Sequence, residues 1–273
     1  MKLAALLLLS LGWLPQQPSA QTEPKAAKPA VFDHRPLDAL LKAYVHQDGL
    51  VDYRGLKRKG RASLQAYLMR METISPARFR SWSEAEKQAF WINAYNAYTL
   101  ELILRHYPVD SIKDLGSLFS SVFSKRFIPL QHLSSHHRKP LSLGELEHEI
   151  LGTQFDSPMF HFAIVCASIS CPPLRAEAYD PIRLNRQLAD QARIFLADSS
   201  KNDVRIIDGK LRISKIFDWS EDELEKFPGG IRGLLKSYGP PSVAQDPALA
   251  KARFRYRSYD WSLNEWQANS SKP

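Results

Sequence analysis

At 273 residues, with 44% hydrophobic and 24% charged side chains, 12 Gly and 18 Pro, the chain has the composition of an ordinary globular protein. That excludes collagen-like, low-complexity and wholly disordered chains, and two cysteines, Cys166 and Cys171, are too few for a disulfide-dense scaffold. The formal net charge of +8 is compatible with an anionic partner, but the basic run Lys57-Arg58-Lys59 reads as a solvated face near an anionic envelope, and no nucleic-acid partner is expected.

From the N-terminus, Lys2, the apolar run Leu3 to Leu14 and the segment ending Pro18-Ser19-Ala20 have the three parts of a secretory signal. Residues 1–20 are therefore expected to be a signal peptide and the mature protein periplasmic or secreted. Residues 21–31 are small, charged and proline-punctuated, which predicts a disordered linker. No repeat or linker divides the remainder of the chain, so a single domain is expected over 32–266, with a flexible tail over 267–273. No later run approaches the roughly 18 apolar residues of a spanning helix, so no membrane span is expected. The polar, basic stretches 57–63 and 132–140 read as surface loops.

Ser83 and Glu86 form a capping box that predicts a helix to about His106, just before Pro108. Its sequence is apolar nearly all round, so it is expected to be central and buried. Asn93 and Asn96 fall within its apolar stripe and need hydrogen-bond partners there. They either brace core backbone or polarise a substrate carbonyl. A second capping box, Ser142 with Glu145, opens the short helix LGELEHEIL. On its wheel Glu147 falls between Ile150 and Leu151 and is predicted to point inward beside His148. A buried carboxylate needs a partner, so this pair is either a functional site or half of a structural ion pair with an arginine.

FHFAIVCAS is rich in β-formers and predicts a buried strand ending at Cys166, where Pro172 and Pro173 force a loop. Asp180-Pro181 predicts the start of a helix reaching about Asp198, with Leu184, Leu188, Ala192 and Phe195 inward. VRIID and KLRIS predict a hairpin through Asp208-Gly209, and residues 253–257 a last strand. Together these give an α+β fold, helix-rich, around a small, mostly antiparallel sheet.

A thiolate is a strong nucleophile where its pKa is lowered and a base lies within reach. Cys166 as nucleophile, His148 as base and Glu147 as the orienting group make one such arrangement. Asn93 or Asn96 could replace Glu147, because adjacent residues on a helix point about 100° apart. The competing reading of the cysteines is a short Cys166–Cys171 disulfide. His132, His136 and His137 lie in a basic loop, and no metal site or cofactor is expected. No phosphate-binding glycine loop or serine nucleophile elbow is present.

The blocks VDYRGL, FWINAYNAYTL, LGELEHEIL, HFAIVCASISCPPL, SKIFDWSEDEL and YDWSLNEW occur in an order that resembles the domain of unknown function 547 family, over about residues 45 to 266. The resemblance implies a protein of the bacterial envelope whose fold is similar to papain-like and transglutaminase-like cysteine enzymes. It also implies that the position of Cys166 is kept in plant relatives while that of Cys171 varies, which favours Cys166 as nucleophile over an essential disulfide. The leading expectation is an exported thiol-dependent hydrolase or acyl-transfer enzyme acting on an amide or peptide-like bond, with Cys171, Asn93 and Asn96 in supporting or oxyanion roles. The alternative is a non-catalytic envelope module that binds a peptide, a peptidoglycan fragment or a protein partner.

Overall fold

The computed structural model describes residues 31–117 and 120–267. The expected signal peptide, the linker up to residue 30 and the tail from residue 268 lie outside the described residues. Three helices form the N-terminal half of the core: α1 (Arg35–Tyr44), α2 (Arg61–Glu72) and α3 (Glu84–His106). α2 packs on both α1 and α3. α3 is the central helix that the capping box predicts: Ser83 Oγ accepts from the Glu86 amide, and the Glu86 carboxylate accepts from the Ser83 amide. Its residues from Gln88 to Leu104 are all buried, so it contacts protein on every side, as its all-round apolar sequence requires. No described helix is long and apolar enough to cross a membrane.

The basic stretch 57–63 is helical and not a loop, because Leu56–Gly60 winds as a π-helical turn directly into α2 while Lys57, Arg58 and Lys59 stay exposed. The predicted strand FHFAIVCAS is also absent. Pro158–Phe162 forms a 3-10 turn, residues 164–166 join no strand, and the segment pairs only at its end, through an isolated antiparallel bridge from Ser168 to Leu263. Asn96 of α3 takes the place of a ladder, donating to the Ala163 carbonyl at 2.9 Å and accepting from the Val165 amide at 2.9 Å. The helix expected from Asp180 begins three residues after Pro181, as α4 (Leu184–Ala197), with Leu184, Leu188, Ala192 and Phe195 buried as expected. Asp180 instead caps the preceding turn, accepting from the Ile182 amide.

The sheet of the described residues is parallel, which corrects the antiparallel expectation. β1 (Lys210–Ile213) pairs with β2 (Arg253–Tyr256) in register Lys210 to Arg253 and Ile213 to Tyr256. The Asp208-Gly209 turn does form, with φ of 50° and 64°, but across it there is only the isolated bridge of Ile207 with Lys210 and one further backbone bond, from the Asp203 amide to the Arg212 carbonyl. β1 then takes its partner from beyond a helical crossover that includes α5 (Gly230–Tyr238), and a parallel pair needs a connection of that length. The whole remains α+β and helix-rich.

Candidate functional site

Glu145–Leu151 is π-helical and packs on α3. Its capping box is present: Ser142 Oγ accepts from the Glu145 amide and Glu145 accepts from the Ser142 amide. Leu143, Leu146, Ile150 and Leu151 are fully buried, as their stripe predicts. The wider winding turns residues less than the 100° of an α wheel, which moves Glu147 from the core to its margin, with 20% of its side chain exposed. His148 is half exposed.

Among the described residues Glu147 has no arginine partner. Tyr95 of α3 donates its hydroxyl to Glu147 Oε2 at 3.2 Å, and His161 Nδ1 lies 3.7 Å from Glu147 Oε1. His161 itself is almost fully buried, with Nε2 2.7 Å from Glu223 Oε2 and Nδ1 3.3 Å from Ser220 Oγ. His148 Nδ1 reaches the other oxygen of Glu223 at 3.3 Å. Burial disfavours a charged His161, but the flanking carboxylates of Glu147 and Glu223 outweigh it and raise its pKa. Burial likewise opposes ionised Glu223, yet its bonds to His148 and His161 bring it down to about 2. The hydrogen bond to Glu223 also raises His148.

Cys166 and Cys171 are both free thiols. Cys166 ends the segment braced by Asn96 and is half-buried; the next residue, Ala167, has φ of 60°, a left-handed conformation that costs a non-glycine residue about 1 kcal/mol. That turn sends the chain back so that Cys171 Sγ accepts from the Cys166 amide at 3.1 Å. Ser168 Oγ and Tyr259 OH stand 3.2 and 3.1 Å from Cys171 Sγ, and each stands 3.4 Å from Cys166 Sγ. Burial opposes ionisation of Cys171, but hydrogen bonds from Cys166, Ser168 and Tyr259 outweigh it and bring the thiol down to about 6. Its hydrogen bond to Cys171, and then burial, push the Cys166 thiol well up. The more acidic sulfur is therefore Cys171, whereas sequence reasoning places the activated thiol at Cys166. Burial and the neighbouring sulfurs keep Tyr259 protonated and so a donor.

Both groups line one cavity of about 250 Å³. Glu147, His148 and His161 are on its wall with Cys166 and Cys171, and Trp219, Tyr259 and Trp261 pack together with ring centroids 4.6 to 5.6 Å apart. The hydrogen-bond partners of the two thiols are Ser168, Tyr259 and each other; neither imidazole nor Glu147 is among them. Asn93 lies elsewhere, clasping the backbone of Tyr179 through both ends of its amide at 2.8 and 2.9 Å. Asn93 and Asn96 thus both have their amides engaged by backbone. The loop amides of Ile169, Ser170 and Cys171 are engaged as well, by the carbonyls of Ser262, Asp260 and Ser168.

Sequence reasoning misses Tyr95, His161, Ser168, Glu223, Tyr259 and the tryptophans. Each except Tyr95 sits in or beside a block whose polar residues have no structural role legible in one dimension; Tyr95 is masked by an apolar stripe. Among the described residues, His137, Glu145 and Glu149 bring ligand atoms within 4.8 Å of one another, where the sequence leads to no metal site. Arg126 and the Ser142 amide already engage Glu145, so this group reads as an ion-pair network.

Residues 79–196 match the model of the family described as "Protein of unknown function, DUF547". The match takes in Tyr95, Glu147, His148, His161 and both cysteines, while Trp219, Glu223, Tyr259 and Trp261 lie C-terminal to it. No curated protein and no solved structure matches the chain.

Proposed function

Taking residues 79–196 as a DUF547 domain, we propose that the chain is an exported thiol-dependent hydrolase or acyl-transfer enzyme acting on an amide or peptide-like bond. The observation that carries this reading is the pair of free sulfurs on the wall of one cavity, with the Cys166 N–H and the Tyr259 hydroxyl aimed at Cys171 and Ser168 Oγ beside it donating to Tyr259 OH at 3.0 Å. A merely structural buried cysteine has no use for such donors, whereas a sulfur that takes up the proton of a neighbouring attacking thiol must be ionised near neutral pH.

The pair shares one proton, and Cys166 is the less buried residue of the two. As Cys166 Sγ bonds to the substrate carbonyl carbon, its proton passes to the Cys171 thiolate and the C=O π pair moves to oxygen. The Tyr259 hydroxyl donates to that oxyanion. Collapse breaks the C–N bond, and Cys171 returns the proton to the departing amine. Water then cleaves the thioester, or an amine acceptor takes the acyl group. His148 Nε2, which has no protein partner among the described residues, serves as base for this second step, with Nδ1 held by Glu223. Glu147 and Glu223 hold His161 as a fixed charge beneath the cavity.

The packed rings of Trp219, Tyr259 and Trp261 favour a second reading, a module that binds without turnover. The test is a screen of chromogenic amides and peptidoglycan fragments with wild type, Cys166→Ala and Cys171→Ala. Thiol-dependent product supports the enzyme; tight binding that survives both substitutions without product replaces it with the module.

A further inference from the structure

The cavity wall is unusual for a chain with a net charge of +8. Among its lining residues there is no lysine or arginine. The ionisable groups on it are one carboxylate, two imidazoles, two thiols and two phenols, and the Glu223 carboxylate stands directly behind His161. With no more than one imidazole protonated, the two carboxylates and one thiolate leave the site negative even when Lys113 at the rim is counted. Such a pocket repels an anion and concentrates a cation against the field of the whole molecule.

The rim adds a second, independent preference. Trp219 lines the cavity yet is 48% exposed, an unusual position for a large ring, and it packs on Tyr259 and Trp261. A half-exposed indole beside acidic groups is the arrangement that holds ammonium and guanidinium ions by cation–π attraction. The rings of this rim already take a cation: Lys113 Nζ sits 5.3 Å from the centroid of Trp261. That leaves Trp219 as the ring open to a ligand.

From the wall and the rim together, we infer that the site takes a positively charged acyl substrate, one with an ammonium or guanidinium group near the scissile bond, such as a peptide with a free amino group or a basic side chain. The inference rests on the cavity being the reactive site proposed above, and names its substrate class.

The test uses the thiols as reporters and needs no turnover. Full-length protein is treated with methanethiosulfonates that carry a trimethylammonium, a sulfonate or an uncharged methyl group. In each case the protein thiolate attacks the thiosulfonate sulfur, a mixed disulfide forms and methanesulfinate leaves, so only the reagent charge differs. The rate ratio of cation to anion is divided by the same ratio for 2-mercaptoethanol, and the modified cysteine is identified by peptide mass.

A normalised ratio of about ten or more is expected, falling several-fold in Glu147→Gln and about two- to fivefold in Trp219→Ala. Trp219 is half exposed, so that second variant does not depend on repacking the core. A normalised ratio of one or less overturns the inference, and so does failure of all three reagents to reach either thiol in the folded protein. Absence of amide turnover with the ratio intact would remove the enzyme reading and leave the cation preference standing. Thiol-dependent turnover with a ratio of one would do the reverse.

Discussion

The backbone N–H of Cys166 points at Sγ of Cys171 from 3.1 Å, so the segment that carries one thiol supplies a donor that holds the other as a thiolate. The left-handed turn at Ala167 makes this possible, because it reverses the chain within the four residues that separate the cysteines.

That donor sets how the pair titrates. Iodoacetamide labelling of the wild type should rise through a pH near 6, well below the roughly 8.5 of an ordinary cysteine. Cys171→Ser should abolish that limb and leave Cys166 labelling only at alkaline pH. Cys166→Ser should keep an acidic limb, because the backbone donor at residue 166 remains. An acidic limb that survives Cys171→Ser would reassign the thiolate to Cys166.

Tyr259 supplies a hydroxyl to both sulfurs. Tyr259→Phe keeps the ring packed on Trp219 and Trp261 and removes only that donor. Loss of one hydrogen bond to a charged group costs about 1.5 kcal/mol, so the Cys171 titration should move up by about one pH unit. If the hydroxyl also meets the oxyanion, turnover should fall by about 10²-fold at saturating substrate. Ultraviolet thiolate absorbance checks the first effect separately from the second, and an unmoved titration would remove Tyr259 from the site.

Asn93 and Asn96 lie within one turn of α3 and do the same physical job in different places. Asn96→Leu leaves the Ala163 carbonyl and the Val165 amide buried without partners; at roughly 1.5 kcal/mol each this is about 3 kcal/mol. For a chain of this size that lowers Tm by about 6 to 12 °C. Asn93→Leu should cost a similar amount through Tyr179. Only the first should shift the thiol titration, because only Asn96 holds the segment that leads into Cys166. Equal effects on the thiol from both would mean that the cysteines respond to global loosening.

The central helix, both capping boxes and the inward faces of α4 are legible in the sequence because each depends on a local pattern. Ser83 and Glu86, or Leu184 and Leu188, meet through one or two helical turns whatever the rest of the chain does. The strand expected at FHFAIVCAS fails for the opposite reason: β-forming side chains say that the segment is buried, and only the tertiary structure decides that Asn96 holds Ala163 and Val165 while pairing is confined to the isolated bridge at Ser168. The parallel pairing of β1 is set by Arg253–Tyr256, which lies beyond the whole helical crossover. At the site, Glu147, His148 and the cysteines are visible as a reactive combination, but their grouping is not. Glu147 and His148 are drawn to His161 and Glu223, and the thiols to Tyr259, 93 residues from Cys166.

The buried His161 gives the fold a pH window. It faces Glu147 and Glu223, with Ser220 on the same nitrogen as Glu147, while His148 shares Glu223 and Tyr95 shares Glu147. Its pKa is raised above 6.5, so its contribution to stability is full below 6.5 and is lost as pH rises through the folded value. Glu223 is lowered from 4.5 to about 2, so its contribution is full above 4.5 and is lost as pH falls toward 2. Both are present between 4.5 and 6.5, and His148, raised in the same way as His161, steepens the alkaline side. His161→Gln removes the charge from between two carboxylates and should cost about 3 kcal/mol inside that window. The difference in stability between wild type and variant, measured by urea unfolding from about pH 3 to 9, should therefore peak near pH 5 to 6 and shrink on both sides. A difference that stays flat across that range would mean that His161 is neutral in the folded protein and that its place between Glu147 and Glu223 rests on packing alone.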